Sequence, residues 1–469
     1  MIASPSISRA GNGRGETKAV PEEEQQVSME SVRKEPLAQN LMEIVTSRDN
    51  LNEAYKRVKS NKGSGGVDGM SVDGLSEYIK SNKEEIVNAL LDGSYQPMAV
   101  RGVEIPKPKG GKRQLGIPTV LDRVIQQAIH QVLEPIFEPL FSNSSYGFRP
   151  RRNAHQALDA ARAYVASGRE WVVDIDLAKF FDQVNHDILM SRLARVIGDK
   201  ILLKLIRKFL QAGMMSNGVV IERRTGTPQG GPLSPLLSNI MLNELDKELE
   251  KRGHTFCRYA DDCNIYVSSK EAGDRVMQSI KQFLATKLRL EINEDKSAVA
   301  MVSERQFLGY RIEESGYLVI SPNALQQMKN KVRQITRRSR GISFETVLEE
   351  LNRYLSGWHR YFSLHSGSNL FKKLDQWIRR RLRCFRLKQR KRPKSVIKYL
   401  VTLGLSESKA RRLAMSGKGW WRKSCNPNIN IAMPIEWFNK LGLVRLYNKS
   451  PRVKSSIKTA VCDIARTVV

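Results

Sequence analysis

Two adjacent aspartates, Asp261 and Asp262, stand between two short apolar runs, 257–260 and 263–267. Neighbouring carboxylates repel, and forcing them together at a tight turn makes sense mainly when a divalent cation neutralises them. Hard oxygen donors suit Mg2+, which takes one or two carboxylates plus substrate phosphates. Asp also favours turns for its own sake, so a plain Asp-rich hairpin turn is the alternative reading. A second pair of acids weighs against it. Trp171-Val-Val-Asp-Ile-Asp176 reads as a strand whose alternation puts Asp174 and Asp176 on one face. Acids at the end of a buried strand are costly unless a metal or another cation meets them. One carboxylate from a strand and one or two from a neighbouring hairpin suit a pair of metal ions acting on phosphate oxygens, the constellation of polynucleotide polymerases.

The elements that must position these acids follow from periodicity. Residues 41–59 and 71–91 read as amphipathic helices on either side of the break Asn61-Lys-Gly-Ser-Gly-Gly66. Residues 100–117 alternate about Gly110-Gly111 as a hairpin with a basic tip of Lys107, Lys109, Lys112 and Arg113. Helices are expected over 121–141, over 187–213 as one long element, and over 236–250. A Gly/Pro loop fills 226–235, and two strands about a tight turn fill 256–267. Beyond Pro322 the pattern becomes helices rich in Arg and Lys, so the class is α+β, a mixed body followed by an all-helical basic extension.

The chain has 469 residues and a formal charge of +30 from 78 basic and 48 acidic side chains. That charge is unevenly placed. Residues 326–469 hold 34 Lys and Arg against 7 Asp and Glu, +27, and the rest of the chain is nearly neutral. A polyanion such as nucleic acid is the expected partner, ahead of an anionic membrane surface. No run of about 18 apolar residues is present to span a bilayer. Five cysteines stand singly with no Cys-x-x-Cys pair, which argues against a zinc finger and fits a reducing cytoplasm. Residues 1–38 read as a polar flexible tail.

Asp176 followed five residues later by Phe181, then Thr227-Pro-Gln-Gly-Gly-Pro-Leu-Ser-Pro235, then Tyr259-Ala-Asp-Asp262, resembles the retroelement reverse transcriptases in order and spacing. More closely, the chain resembles the bacterial group II intron-encoded reverse transcriptases and maturases. Ile105-Pro-Lys-Pro108, Arg113-Gln-Leu-Gly-Ile-Pro118, Ser145-Tyr-Gly-Phe-Arg-Pro150, Asn185-His-Asp187, Arg258-Tyr-Ala-Asp-Asp-Cys263, Phe307-Leu-Gly-Tyr310 and Gly357-Trp-His-Arg-Tyr-Phe362 all fit that family, and the likeness runs from about residue 41 to the end.

The resemblance implies a right-hand polymerase with an antiparallel palm sheet. It assigns 39–99 to an N-terminal extension of the fingers, 100–325 to fingers and palm, 326–405 to the thumb or maturase domain X, and 406–469 to a DNA-binding region. It makes Asp176, Asp261 and Asp262 the metal-binding catalytic set, with two Mg2+ and Mn2+ as a substitute, and leaves Asp174 as a structural neighbour. Phe181 becomes a steric gate against a 2′-hydroxyl, the alternative being a core Phe beside Phe180. Lys107 and Arg113 would clamp the triphosphate, unless they are only a basic hairpin tip. Gln229 and Gly230 would lie against the nascent base pair. Arg149 is a candidate template contact or else a buried structural pairing, and Lys296 a primer or triphosphate contact or else a surface lysine. Trp358, Tyr361 and Phe362 fit a thumb core better than a stacking platform. Arg379, Arg380, Arg381, Arg383, Lys388, Arg390, Lys391 and Arg392 would meet phosphates, and Trp420-Trp421 lie exposed or half-exposed in a basic context.

Expected partners are intron RNA in a ribonucleoprotein, an RNA template with a DNA primer, target DNA and dNTPs, with no membrane and a bacterial cytoplasmic location. The resemblance carries no sign of the His-Asn-His endonuclease module with cysteine pairs that many relatives append, which implies priming from a nascent strand or an existing 3′ end. A domesticated or defence-associated reverse transcriptase, or a splicing factor without polymerase activity, is the alternative; the second predicts eroded acids, and all three are present. An RNA-directed RNA polymerase is disfavoured by Phe181. Template and intron RNA binding should weaken steeply as salt rises, as counterion release requires. Reversing the charges across 379–394 should cost binding, read by filter retention, far more than it costs the chemistry at Asp176.

Overall fold

The computed structural model describes residues 38–106, 112–216, 219–228 and 230–447. Lys107, Gln229 and all of the expected tail but Ala38 lie outside the described residues. Ten strands are described: β1 Val100–Pro106, β2 Lys112–Ile117, β3 Trp171–Ile175, β4 Met214–Ser216, β5 Val219–Ile221, β6 Thr255–Tyr259, β7 Asp262–Val267, β8 Ala298–Met301, β9 Tyr310–Ile312 and β10 Leu318–Ile320.

The central sheet has the order β6-β7-β3-β8 and is antiparallel throughout. Its strands are β-branched and alternate, and the alternation divides two cores. Val173 and Ile175 of β3, Cys263 and Ile265 of β7 and Phe256 of β6 enter one core, with the helices Val120–Phe137 and Ser234–Lys251. Val172, Tyr266 and Cys257 face the other way, into a second core that contains the C-terminal helices. Asp174 and Asp176 share the face of Val172, as the alternation requires. A second four-stranded sheet, β2-β1-β4-β5, carries the expected hairpin, with Ile105 opposite Arg113.

The helical extension shares a core with the sheet rather than forming one of its own. Val332, Leu351, Leu355, Trp358 and Leu382 of the helices Pro322–Ile335, Phe344–Tyr361 and Ser368–Gln389 pack with Val172, Tyr266 and Tyr310. Gly309, at φ 78°, lies where a Cβ would meet the Phe362 ring at 3.3 Å. The Tyr310 hydroxyl donates to the Tyr361 carbonyl at 2.7 Å, and the Tyr361 hydroxyl donates to that of Leu308 at 2.9 Å. The motifs 307–310 and 357–362 are therefore two halves of one joint. The segment from 406 continues into the same core through Leu413, Met433, Phe438 and Leu446, so a boundary at 405/406 marks no gap in packing.

Two expected helices are each broken. Residues 41–59 form Leu41–Thr46 and Arg48–Ser60, with Ser47 capping the second by accepting from Asn50 N. The long element expected over 187–213 is His186–Ala194 and Lys200–Gln211. Gly198-Asp199 interrupts it, and Asp199 accepts from Ile201 N and Leu202 N as a helix N-cap and from Met42 N at 2.8 Å. Replacing Leu351, which is fully buried among the C-terminal helices, with Ala should lower stability by about 2–5 kcal/mol, measured by denaturant unfolding.

Candidate active site

Strand register brings the predicted acids together. Ile175 of β3 pairs with Cys263 of β7, so the antiparallel register brings Asp176, just past the end of β3, level with Asp262, the first residue of β7. Tyr259 pairs with Asp262, which leaves Ala260-Asp261 as a two-residue turn. Ala260 is left-handed at φ 60°, where glycine is the ordinary occupant of such a turn.

A fully buried arginine sits behind that turn. The five N–H donors of Arg258 all find acceptors: both Asp246 oxygens at 2.7 and 2.5 Å, Asn239 Oδ1 at 3.0 Å, Ser145 Oγ at 2.8 Å and the Ala260 carbonyl at 2.8 Å. Both members of the Arg258–Asp246 pair are fully buried, and deleting one would strand the other at a cost of about 3–5 kcal/mol. The segment containing Ser145-Tyr146-Gly147 runs alongside: Tyr146 N donates to the Arg258 carbonyl and Arg258 N to that of Ser144, each at 2.9 Å. A Cβ on Gly147 would lie 2.2 Å from Ala260 N, so only glycine permits this approach.

Arg149 belongs to the same scaffold. It donates to both Glu138 carboxylate oxygens and to the Ser142 and Ser145 carbonyls, and is 8% exposed. Of its two readings, template contact and buried pairing, the geometry is that of the buried pairing. A guanidinium with its donors occupied by protein has none left for phosphate.

The electrostatics around the acids are those of a site short of positive charge. Asp262 is pushed up to about 7 by desolvation, reinforced by Asp261, Asp176 and Asp174. Burial also raises Asp174, against the pull of Arg305, which donates to it at 2.6 Å. Lys296 donates to both oxygens of Asp176, at 2.9 and 3.1 Å, so an ammonium group already neutralises one of the clustered carboxylates. The loop carrying Lys296 is fixed there: Asn293 N donates to the Asp176 carbonyl at 2.8 Å and Asp176 N to Ser297 Oγ at 2.9 Å. Among the described residues no three acids, histidines or cysteines converge as a ready-made metal cage. The donor set still fits a hard divalent ion, which needs one or two carboxylates and takes its remaining ligands from substrate phosphates and water.

The loop expected against the substrate docks on the residue expected to gate it. Thr227 N donates to the Phe181 carbonyl at 2.7 Å, and Gly226, at φ 88°, lies where a Cβ would meet that carbonyl at 2.8 Å. Phe181 is half-buried with its ring edge-on to the buried Phe180, 5.2 Å between centroids. Gly230, at φ 128°, abuts the Gly116 carbonyl of β2, the strand that carries Arg113.

The predicted phosphate contacts divide. Arg383 is buried, donates to the Met433 carbonyl at 3.0 and 2.7 Å, and has its pKa lowered to about 10 by desolvation. That is a structural tie between the helix Ser368–Gln389 and the last segment, and it corrects the expectation. Arg381 is half-buried and donates to Thr336 Oγ1. Arg379 is half-buried too, with its pKa lowered by desolvation. Arg380 stacks on Trp421 at 3.9 Å and Arg390 on Tyr399 at 4.1 Å, while Lys388, Lys391 and Arg392 are exposed. None of these eight forms an ion pair among the described residues. Sequence reading gave Arg258 no role beyond heading the motif Arg258-Tyr-Ala-Asp-Asp-Cys263 and missed Arg305 and the Asp246 partner, although an arginine inside an otherwise apolar strand was signal enough for the first.

Residues 105–312 match the family model described as reverse transcriptase (RNA-dependent DNA polymerase), and residues 325–401 match that of the group II intron maturase-specific domain. Protein YkfC of Escherichia coli K12 is 34% identical over 315 residues, 58% of this chain and 83% of that protein. The group II intron-encoded protein LtrA of Lactococcus lactis subsp. cremoris is 32% identical over 333 residues, 56% of this chain and 55% of LtrA, so the match spans about half of that relative. Among solved structures, telomerase from Candida albicans aligns over 70% of this chain and 65% of its own, at 12% identity and a TM-score of 0.38, a likeness too slight to carry an argument. The family is that of RNA-directed DNA polymerases that depend on divalent metal. With both domains matched in order and the carboxylates grouped at one end of the palm sheet, the chain belongs to the group II intron-encoded reverse transcriptases and maturases.

Proposed function

We propose that this chain extends a DNA primer on an RNA template at Asp176, Asp261 and Asp262, and binds the intron RNA whose splicing it assists. The observation that carries the reading is the register that sets Asp176 beside Asp262 with Asp261 in the intervening turn. These carboxylates would hold two Mg2+, with Mn2+ as a substitute. Bound there, the ions would favour the deprotonated primer 3′-hydroxyl and neutralise the triphosphate and departing pyrophosphate.

The remaining steps belong to the chain's own residues. Lys296, which donates to both oxygens of Asp176, would offer its ammonium group to primer or triphosphate from beside that carboxylate. Phe181, held through its backbone by Thr227, would fill the space of a 2′-hydroxyl and select deoxynucleotides. Arg113 and Lys107 would meet the triphosphate, and Gln229 and Gly230 the nascent pair. The exposed Lys388, Lys391 and Arg392 and the stacked Arg380 and Arg390 would meet phosphates of template-primer duplex, intron RNA or target DNA. Together with recognition of target DNA, these two activities would support retrohoming by target-primed synthesis.

Asp261→Ala should abolish cDNA synthesis on poly(rA)/oligo(dT) while sparing RNA-supported splicing; equal loss of both would tell against separable roles. The raised Asp262 gives a second test. Its carboxyl holds a proton below about pH 7 in the metal-free protein, and binding must displace that proton. Mn2+ affinity by calorimetry should therefore climb by up to about tenfold per pH unit on approaching neutrality and level off above it, and Asp262→Asn should flatten that slope.

A further inference from the structure

We infer that Arg258 is a positioning residue for the metal-binding turn, acting through the carbonyl of Ala260. This rests on reading Asp261 and Asp262 as metal-holding carboxylates. Arg258 shares the face of Phe256 on β6, whereas Asp262 shares the face of Tyr266 on β7, so the guanidinium reaches the turn from behind the sheet. Its hydrogen bonds go to Asp246, Asn239, Ser145 and Ala260. One of them is to the Ala260 carbonyl inside the turn, at 2.8 Å.

The conformation of Ala260 needs such a hold. At φ 60° it occupies the left-handed region, which a side-chain-bearing residue keeps only when its surroundings over-determine it. Three ties do so here. Arg258 NH1 donates to the Ala260 carbonyl, the Ser144–Gly147 segment pairs with Arg258 on its other edge, and Gly147 presses against Ala260 N. Asn239 links them, since it accepts from Arg258 and donates to the Gly147 carbonyl at 2.9 Å. Asp246 supplies the counter-charge that keeps the guanidinium buried and in plane. Freed from Arg258, the turn would relax toward ordinary backbone angles and carry Asp261 and Asp262 away from Asp176.

Arg258→Lys keeps a charge for Asp246 but not the fork that also reaches Ala260, Asn239 and Ser145. The variant should lose roughly 10²-fold in kcat for primer extension, the cost of a small misplacement of reacting groups. Affinity for template-primer, read by fluorescence anisotropy, should stay within about twofold, because nothing on the nucleic-acid side is changed. Mn2+ affinity read by electron paramagnetic resonance, without substrate, should fall. Adding Ala260→Gly should return about tenfold of the lost kcat, since glycine adopts the left-handed turn unaided. Unchanged Mn2+ affinity in a folded Arg258→Lys protein, or no recovery with Ala260→Gly, overturns the inference and leaves Arg258 as a core ion pair only. Where Arg258→Lys yields no folded protein, Ser145→Ala, which removes one acceptor, must shift Mn2+ affinity in the same direction by a smaller factor; no shift overturns the inference as well. A wild-type protein that neither binds Mn2+ nor extends a primer would instead remove the reading on which it rests.

Discussion

The buried Arg258–Asp246 pair is the constraint on which the rest of the palm is assembled. Taking two charges out of water is repaid only when geometry is near ideal and every remaining donor is met, and here all five guanidinium N–H groups are. Meeting them ties strand β6, which carries Arg258, to three other stretches: the helix Ser234–Lys251, the Ser145 segment and the Ala260-Asp261 turn. A second buried arginine, Arg149, fastens the Ser145 segment to Glu138. Ser145 joins the two, its hydroxyl accepting from Arg258 and its carbonyl from Arg149. Rigidity of this kind suits a site whose acids must be held close against their own repulsion.

On the open face the balance is reversed. Four acids, Asp174, Asp176, Asp261 and Asp262, are offset by the ammonium of Lys296 and the guanidinium of Arg305. Arg305 donates to the Lys296 carbonyl as well as to Asp174, so the loop that brings the ammonium is itself anchored by the non-catalytic acid. Among the described residues the four acids thus meet two cations, each paired with one of them.

The positive charge of the extension is handled by a different physics. Arginines on the helix Ser368–Gln389 lie over aromatic rings instead of against acids: Arg380 on Trp421, Arg381 on Trp377, Arg386 on Phe344 and Tyr399, with Arg333 of the helix Pro322–Ile335 also over Trp377. Stacking holds a guanidinium plane in place without cancelling its charge, which preserves the long-range attraction to a polyanion. Some of the same helix's arginines are spent on packing, Arg383 most completely.

The family was legible in the sequence because its motifs depend on residue type at fixed spacing: Asp176 with Phe181, the run 227–235 and Tyr259-Ala-Asp-Asp262. Period-two alternation placed Asp174 and Asp176 on one face. Net charge by segment separated body from extension equally well. Local signals also predicted most helices but not where they break: Ser47 and Asp199 cap the second helix of each broken pair through local bonds, and Met42 N meets the other Asp199 oxygen from a distant segment. Tertiary structure alone decided which cations are free. Arg149 and Arg383 look like their exposed neighbours in sequence, yet Glu138 and the Met433 carbonyl, both distant along the chain or across a turn, claim them. It alone decided that the basic extension shares a core with the palm through the Tyr310–Tyr361 joint. The physical reason is common to both: composition fixes how much charge and apolar surface a segment carries, whereas burial and hydrogen-bond saturation depend on what arrives from elsewhere to meet it.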